Sequence, residues 1–233
     1  MKFLSAFLLL LASVCAFGQR DAFDYHVADV AILQSKPVQK DIGITEAQRA
    51  RMNVAATKYS TEMRAYQTEL QGQKNPKVDP ARVLRYQQAL KESVIAQMTV
   101  PQLKRLRELT LQYQQVIALT DSTVASRVGL SPAQLKRVRS TFQEGTQAIG
   151  LLSRKSQSAI MSKYQGLKPK SQAEQQALGK QYSEEMMAAA KRLDPQLKAI
   201  AHRNTAKIMA ILTPAEKATW KSLQGREFVF PGH

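Results

Sequence analysis

The stretch VQKDIGITEAQRARM, residues 38–52, returns in altered form as VASRVGLSPAQLKRV, residues 124–138. Both copies open on valine, reach an apolar residue and a glycine (Ile42-Gly43, Val128-Gly129), step through an apolar–hydroxyl pair (Ile44-Thr45, Leu130-Ser131), and go on to Ala-Gln (Ala47-Gln48, Ala133-Gln134). Thr45-Glu46-Ala47-Gln48 reads as a capping box. The Thr45 hydroxyl is expected to take the Gln48 N–H, and the Gln48 side chain to reach back to the Thr45 N–H.

The same logic fits Thr99-Val100-Pro101-Gln102, Ser131-Pro132-Ala133-Gln134 and Thr213-Pro214-Ala215-Glu216, which makes four helix starts. Pro132 and Pro214 occupy the first helical position, where a missing N–H costs nothing. Met98 with Leu103, and Leu130 with Leu135, are placed to form hydrophobic staples. Behind the first box, Met52, Ala56, Tyr59, Met63, Tyr66 and Leu70 alternate steps of four and three, the pattern of an apolar seam. The helix should end before Asn75-Pro76. Asp79 and Pro80 open a return helix carrying Val83, Leu90 and Val94, and a third helix turns Leu103, Leu106, Tyr113 and Ile117 inward.

Residues 119–233 repeat this plan with longer arms. Leu135, Val138, Phe142, Ile149 and Leu152 begin the seam, and Lys168-Pro169-Lys170 turns the chain. Ser171-Gln172-Ala173-Glu174 is a fifth box, and its helix carries Leu178, Tyr182, Met186, Ala189, Leu197, Ala201, Asn204, Ile208 and Ile211. Asp194-Pro195 should kink or restart that helix. Thr45 to Thr99 spans 54 residues and Ser131 to Thr213 spans 82, a difference of four heptads, which preserves a seven-residue seam. Alternating β-branched runs are absent and helix formers dominate. The expected fold is all-α: a tandem repeat of long antiparallel helical hairpins with capped short helices. The units span residues 19–118 and 119–233.

Met1-Lys2 and the apolar run to Val14 have the form of a secretory signal peptide over residues 1–18, with cleavage after Gly18 or Ala16. The bulky Val14 makes a lipid anchor on Cys15 a poor alternative. Cys15 is the one cysteine, so the mature chain would form no disulfide and depend on packing. An exported protein, periplasmic or secreted, is expected. The formal charge is +16, with +5 in residues 19–118 and +10 in residues 119–233. Such a field speeds encounters with anionic partners.

Catalytic and metal-binding patterns are absent from the sequence. His26, His202 and His233 are far apart, and Lys198 and Ala206 flank His202 at helical spacing, so no metal site or cofactor is expected. No nucleophile-elbow, P-loop or dinucleotide fingerprint occurs. Glu184-Glu185 would diverge around a helix, and reads as a solvated edge. The expectation is a non-enzyme. Two basic six-mers stand out, Gln102-Leu103-Lys104-Arg105-Leu106-Arg107 and Gln134-Leu135-Lys136-Arg137-Val138-Arg139. Cations near a helix start gain nothing from its dipole. Lys104, Arg105, Arg107, Lys136, Arg137 and Arg139 are therefore candidate partner-binding residues; alternatively they flank a buried apolar stripe in solvent. Tyr59, Tyr66 and Tyr113 read as core residues with wet hydroxyls, and Met186-Met187 as part of an adaptable face.

With these apolar-Thr-x-x-Gln boxes at 44–48, 98–102, 130–134 and 212–216, a leader, and a basic helical composition, the chain resembles the Spy/CpxP family of bacterial envelope proteins. It departs from the motif with Ser131 for Thr and Glu216 for Gln. The resemblance implies an ATP-independent extracytoplasmic chaperone whose basic surface binds unfolded or acidic polypeptides. It also implies a homodimer, or two units in one chain standing in for one. The competing expectation is a structural or adaptor protein on an anionic envelope component. Nucleic acid is not an expected partner, given the leader and the lack of a groove-reading motif.

Overall fold

The computed structural model describes residues 20–231, so the expected leader, Cys15 and His233 lie outside the described residues. Within them every regular element is helical and no strand occurs. None of the helices is long and apolar enough to cross a membrane.

The chain divides into two compact units: residues up to Gln114 together with those from Leu223 onward, and Gln115–Ser222. The boundary thus falls at 114/115 where 118/119 is expected from the sequence, and the C-terminal segment lies outside the second unit. It belongs with the first because that unit satisfies its backbone. Arg107 donates to the Leu223 carbonyl, and Arg105 to that of Arg226 at 2.8 Å. Gln112 Nε2 donates to the carbonyls of Gln224 (2.6 Å) and Arg226 (2.7 Å), while Gln112 Oε1 accepts the Phe228 N–H at 2.9 Å.

The first unit comprises α1 (Ala22–Val27), a 3-10 helix (Val30–Gln34), α2 (Lys36–Ile42), α3 (Glu46–Gln71), α4 (Pro80–Ile95) and α5 (Val100–Gln114). Aspartates start three of these elements: Asp21 accepts from Phe23 N–H, Asp29 from Ala31 N–H and Asp79 from Ala81 N–H. α3 packs on α4, and α5 packs on α1 and α2. The core unites Val38, Ile95, Leu103, Leu106 and Leu109 with Ile32, Leu33, Ile42, Met52, Val94 and Met98. Burial of each large aliphatic side chain contributes about 1.5–3 kcal/mol. Near the far end of α3, Tyr66 is buried under the Arg82 guanidinium, 4.4 Å from its ring, and its hydroxyl accepts the Asp79 N–H.

Two expected inward residues face out. Tyr113 is 46% exposed and Ile117 42%. Tyr113 lies at the end of α5, where its ring meets that of Phe230 in a T-shaped contact at 5.3 Å. Past it, Gln115 takes φ 50 and breaks the helical period, so Ala118 and Leu119 take the buried places. Ala56, expected in the α3 seam, is also exposed.

The second unit comprises a 3-10 helix (Gln115–Thr120), α6 (Ser122–Val128), α7 (Pro132–Tyr164), α8 (Gln172–Ile211) and most of α9 (Pro214–Gln224). α7 and α8 pack on each other, burying Val138, Gly145, Ala189 and Ile208, with Leu135, Phe142, Ile149, Leu152, Leu178, Tyr182 and Met186 half-buried. A Cβ on Gly145 would lie 2.5 Å from the Asn204 side chain, so glycine is what lets α8 approach there. α8 runs 40 residues with Pro195 inside it, so of the expected kink or restart the restart does not occur. The Asp194–Lys198 ion pair at 2.8 Å spans the proline, and Leu193 and Leu197 keep the packing face continuous on either side. The Ser171 box is half formed: Ser171 accepts the Glu174 N–H at 3.2 Å, but the Glu174 carboxylate takes the Lys170 N–H.

The stretches that opened the sequence analysis end α2 and α6 in the same way. Gly43 (φ 76) and Gly129 (φ 96) are left-handed. Ile44 N–H reaches the Gln39 carbonyl and Gly43 N–H that of Lys40; Leu130 and Gly129 do the same toward Ala125 and Ser126. This paired closure satisfies the last carbonyls of each helix and needs a residue without a Cβ.

Candidate functional site

All four boxes form. Thr45 Oγ1 accepts the Gln48 N–H at 3.2 Å while Gln48 Oε1 accepts the Thr45 N–H at 3.0 Å. Thr99 with Gln102, Ser131 with Gln134 and Thr213 with Glu216 close in the same sense. The boxes also bind one another. Gln48 Nε2 donates to Gln102 Oε1 at 2.8 Å and to the Gln97 carbonyl at 2.7 Å. Gln102 Nε2 returns a bond to Gln48 Oε1 at 3.0 Å and donates to the Gly43 carbonyl at 2.8 Å. This amide pair, with Gln48 only 8% exposed, fastens the start of α3 to the start of α5 and to the end of α2.

In the second unit Gln134 Nε2 donates to Glu216 Oε2 at 2.9 Å and to the Ile211 carbonyl at 3.2 Å. Nothing is returned, because an ionised carboxylate has no hydrogen to give. The Thr213 N–H bond to Glu216, aided by the Gln134 amide, holds that carboxyl below its ordinary range. These glutamines and their hydroxyl partners Thr45, Thr99, Ser131 and Thr213 thus act as structural fasteners.

The six candidate binding cations separate. Arg107 is 6% exposed, donates to Asp24 at 2.8 Å and stands over the Phe23 ring. Arg105 bridges Asp41 (2.6 Å) and Glu108 (2.9 Å). Both were expected at the surface, as partner-binding or solvated cations; both are instead committed to intramolecular pairs, because Asp24, Asp41 and the C-terminal segment converge on α5. Lys104, Lys136 and Arg137 are exposed, and Arg139 is exposed but donates to the Thr120 carbonyl at 2.9 Å.

Of the other residues singled out, Glu185 pairs with Lys163 on α7, and Glu184 lies 3.9 Å from Lys180. His202 is exposed, and no group of three or more His, Cys, Asp or Glu able to hold a metal occurs among the described residues. Tyr59 is half-buried, and Met187 is 63% exposed beside the half-buried Met186.

Sequence reasoning missed a cleft of about 930 Å³ in the first unit. Its apolar wall comes from Val27, Leu33, Met52, Tyr59, Leu90 and Val94, and its cations are Arg49 and Lys91. No local signal marks it, since its lining is drawn from residues 26–39, α3, α4 and Gln114. The Lys91 ammonium donates to the His26 carbonyl at 2.9 Å and lies 5.2 Å from the Tyr25 ring centre. Burial pushes its pKa down, with Asp29 partly opposing. Neither a family model, nor a curated protein, nor a solved structure matches the chain.

Proposed function

We propose that the chain is a tandem repeat of capped helical hairpins, akin to the Spy/CpxP family, acting without catalysis as an exported chaperone-like protein. Its partners are unfolded or acidic polypeptides, steered by charge to the second unit and then held by exposed apolar side chains. The observation that carries this reading is the exposed basic pair Lys136 and Arg137 in the same unit as Leu151 (62% exposed), Met161 (59%) and Met187 (63%). Cations without counter-ions raise the encounter rate with acidic chains. Exposed leucine and methionine offer an adaptable apolar contact once the partner arrives. Lys104 would add to the steering field, whereas Arg105 and Arg107 are taken up internally.

The test is suppression of aggregation of a denatured acidic client at low and high salt. Suppression near equimolar ratio that persists in part at high salt supports the chaperone reading. Lys136→Gln with Arg137→Gln should slow capture at low salt and leave the fold intact. Loss of all suppression with salt, together with salt-sensitive binding to anionic vesicles, would instead mark an adaptor on an anionic envelope surface.

A further inference from the structure

The first-unit cleft has a composition that the proposed surface of the second unit does not explain. Its volume of about 930 Å³ lies within the range of small-molecule sites. One wall is apolar. Lys91 also lines the cleft, a half-buried ammonium over the Tyr25 ring whose one hydrogen-bond acceptor among the described residues is the His26 carbonyl. An ammonium has three donors, and taking one partly out of water with two of them unmet is unfavourable. Of the neighbouring charges, Asp29 also lines the cleft and accepts the Ala31 N–H at 2.8 Å, and Arg49 is paired with Glu46. Lys91 therefore retains donors for an anion that arrives with an apolar body.

We infer that this cleft binds a single-chain amphiphile with an anionic head, its carboxylate on Lys91 and its hydrocarbon chain along Met52, Ala56, Leu90 and Val94. A carboxylate would supply charge-assisted hydrogen bonds to donors the fold leaves unused. The chain would cover the apolar surface that Ala56 and Leu90 leave in contact with water. This site is separate from the basic surface of the second unit, and neither reading depends on the other.

The test uses the whole mature chain and laurate below its micelle concentration, with dodecyl maltoside and dodecyltrimethylammonium as neutral and cationic comparisons, followed by calorimetry. One-to-one laurate binding is expected, with the cationic amphiphile excluded. Lys91→Gln should weaken laurate at least about tenfold while leaving the neutral amphiphile unchanged. Ala56→Trp, a change at an exposed helical position, should abolish both, with unchanged circular dichroism showing that the fold persists. Lys136→Gln with Arg137→Gln should not alter laurate affinity. Equal affinity for the three amphiphiles, or laurate binding unmoved by Lys91→Gln or by Ala56→Trp, would overturn the assignment.

Discussion

The two box-to-box fasteners use nearly the same letters and reach different states. In the first unit Gln48 and Gln102 each give and take a hydrogen bond, and Gln102 has a further donor for Gly43. In the second, Gln134 gives and Glu216 only takes. One side-chain atom separates an amide from a carboxylate. It turns a two-way, pH-indifferent contact into a one-way contact whose strength depends on ionisation. The basic six-mers that begin at Gln102 and Gln134 diverge similarly: Arg107 is buried on Asp24, while Arg139, at the matching place, stays in solvent.

The largest difference should appear at those arginines. Arg107→Ala leaves Asp24 as an uncompensated buried charge and should cost about 3–5 kcal/mol in urea denaturation. Arg139→Ala should stay within about 0.5 kcal/mol. Equal losses would mean that the buried pair does not distinguish the two regions.

Exchanging the odd residue comes next. Gln102→Glu removes the donors to Gly43 and Gln48 and should cost about 1–3 kcal/mol at neutral pH, with part of the loss recovered in acid as the new carboxyl gains a proton. The reverse change, Glu216→Gln, supplies a donor but gives up a negative charge at a helix start, worth about 0.3–1 kcal/mol, so a small net change is expected at neutral pH. Its signature is in the pH profile. Because the folded-state pKa of Glu216 is lowered, its contribution is present above the ordinary carboxylate pKa and fades as pH falls through the folded value. Glu216→Gln should flatten that acid limb, and an unchanged limb would remove Glu216 from the account.

The smallest difference between the regions should come where they agree. Gly43→Ala and Gly129→Ala force a Cβ into left-handed backbone and should each cost about 1–2 kcal/mol, by similar amounts. A gap much wider than that would show the two helix ends to be less alike than their hydrogen bonds.

What the sequence revealed was whatever is written within a few residues. Thr45 and Gln48 are three apart, so the box is visible as a string, and so are the glycine stop and the spacing of Leu103 and Leu106. Gln48 and Gln102 lie 54 positions apart, and nothing near either announces that their amides meet. Likewise the string Leu-Lys-Arg-Leu-Arg does not say which arginine is buried. That depends on Asp24 and Asp41, far upstream, and on a tail more than a hundred residues downstream. The cleft was illegible for the same reason: Lys91 looks like any surface lysine until the His26 carbonyl and the Tyr25 ring close on it.

The return of the C-terminal segment to α5 gives the molecule an order of assembly. Because proteins emerge amino end first, the second unit has its full complement of residues while the first still lacks the strap that Arg105, Arg107 and Gln112 grip. The part that is made earliest is thus sealed last, and a chain cut short by a dozen residues would be damaged at its beginning.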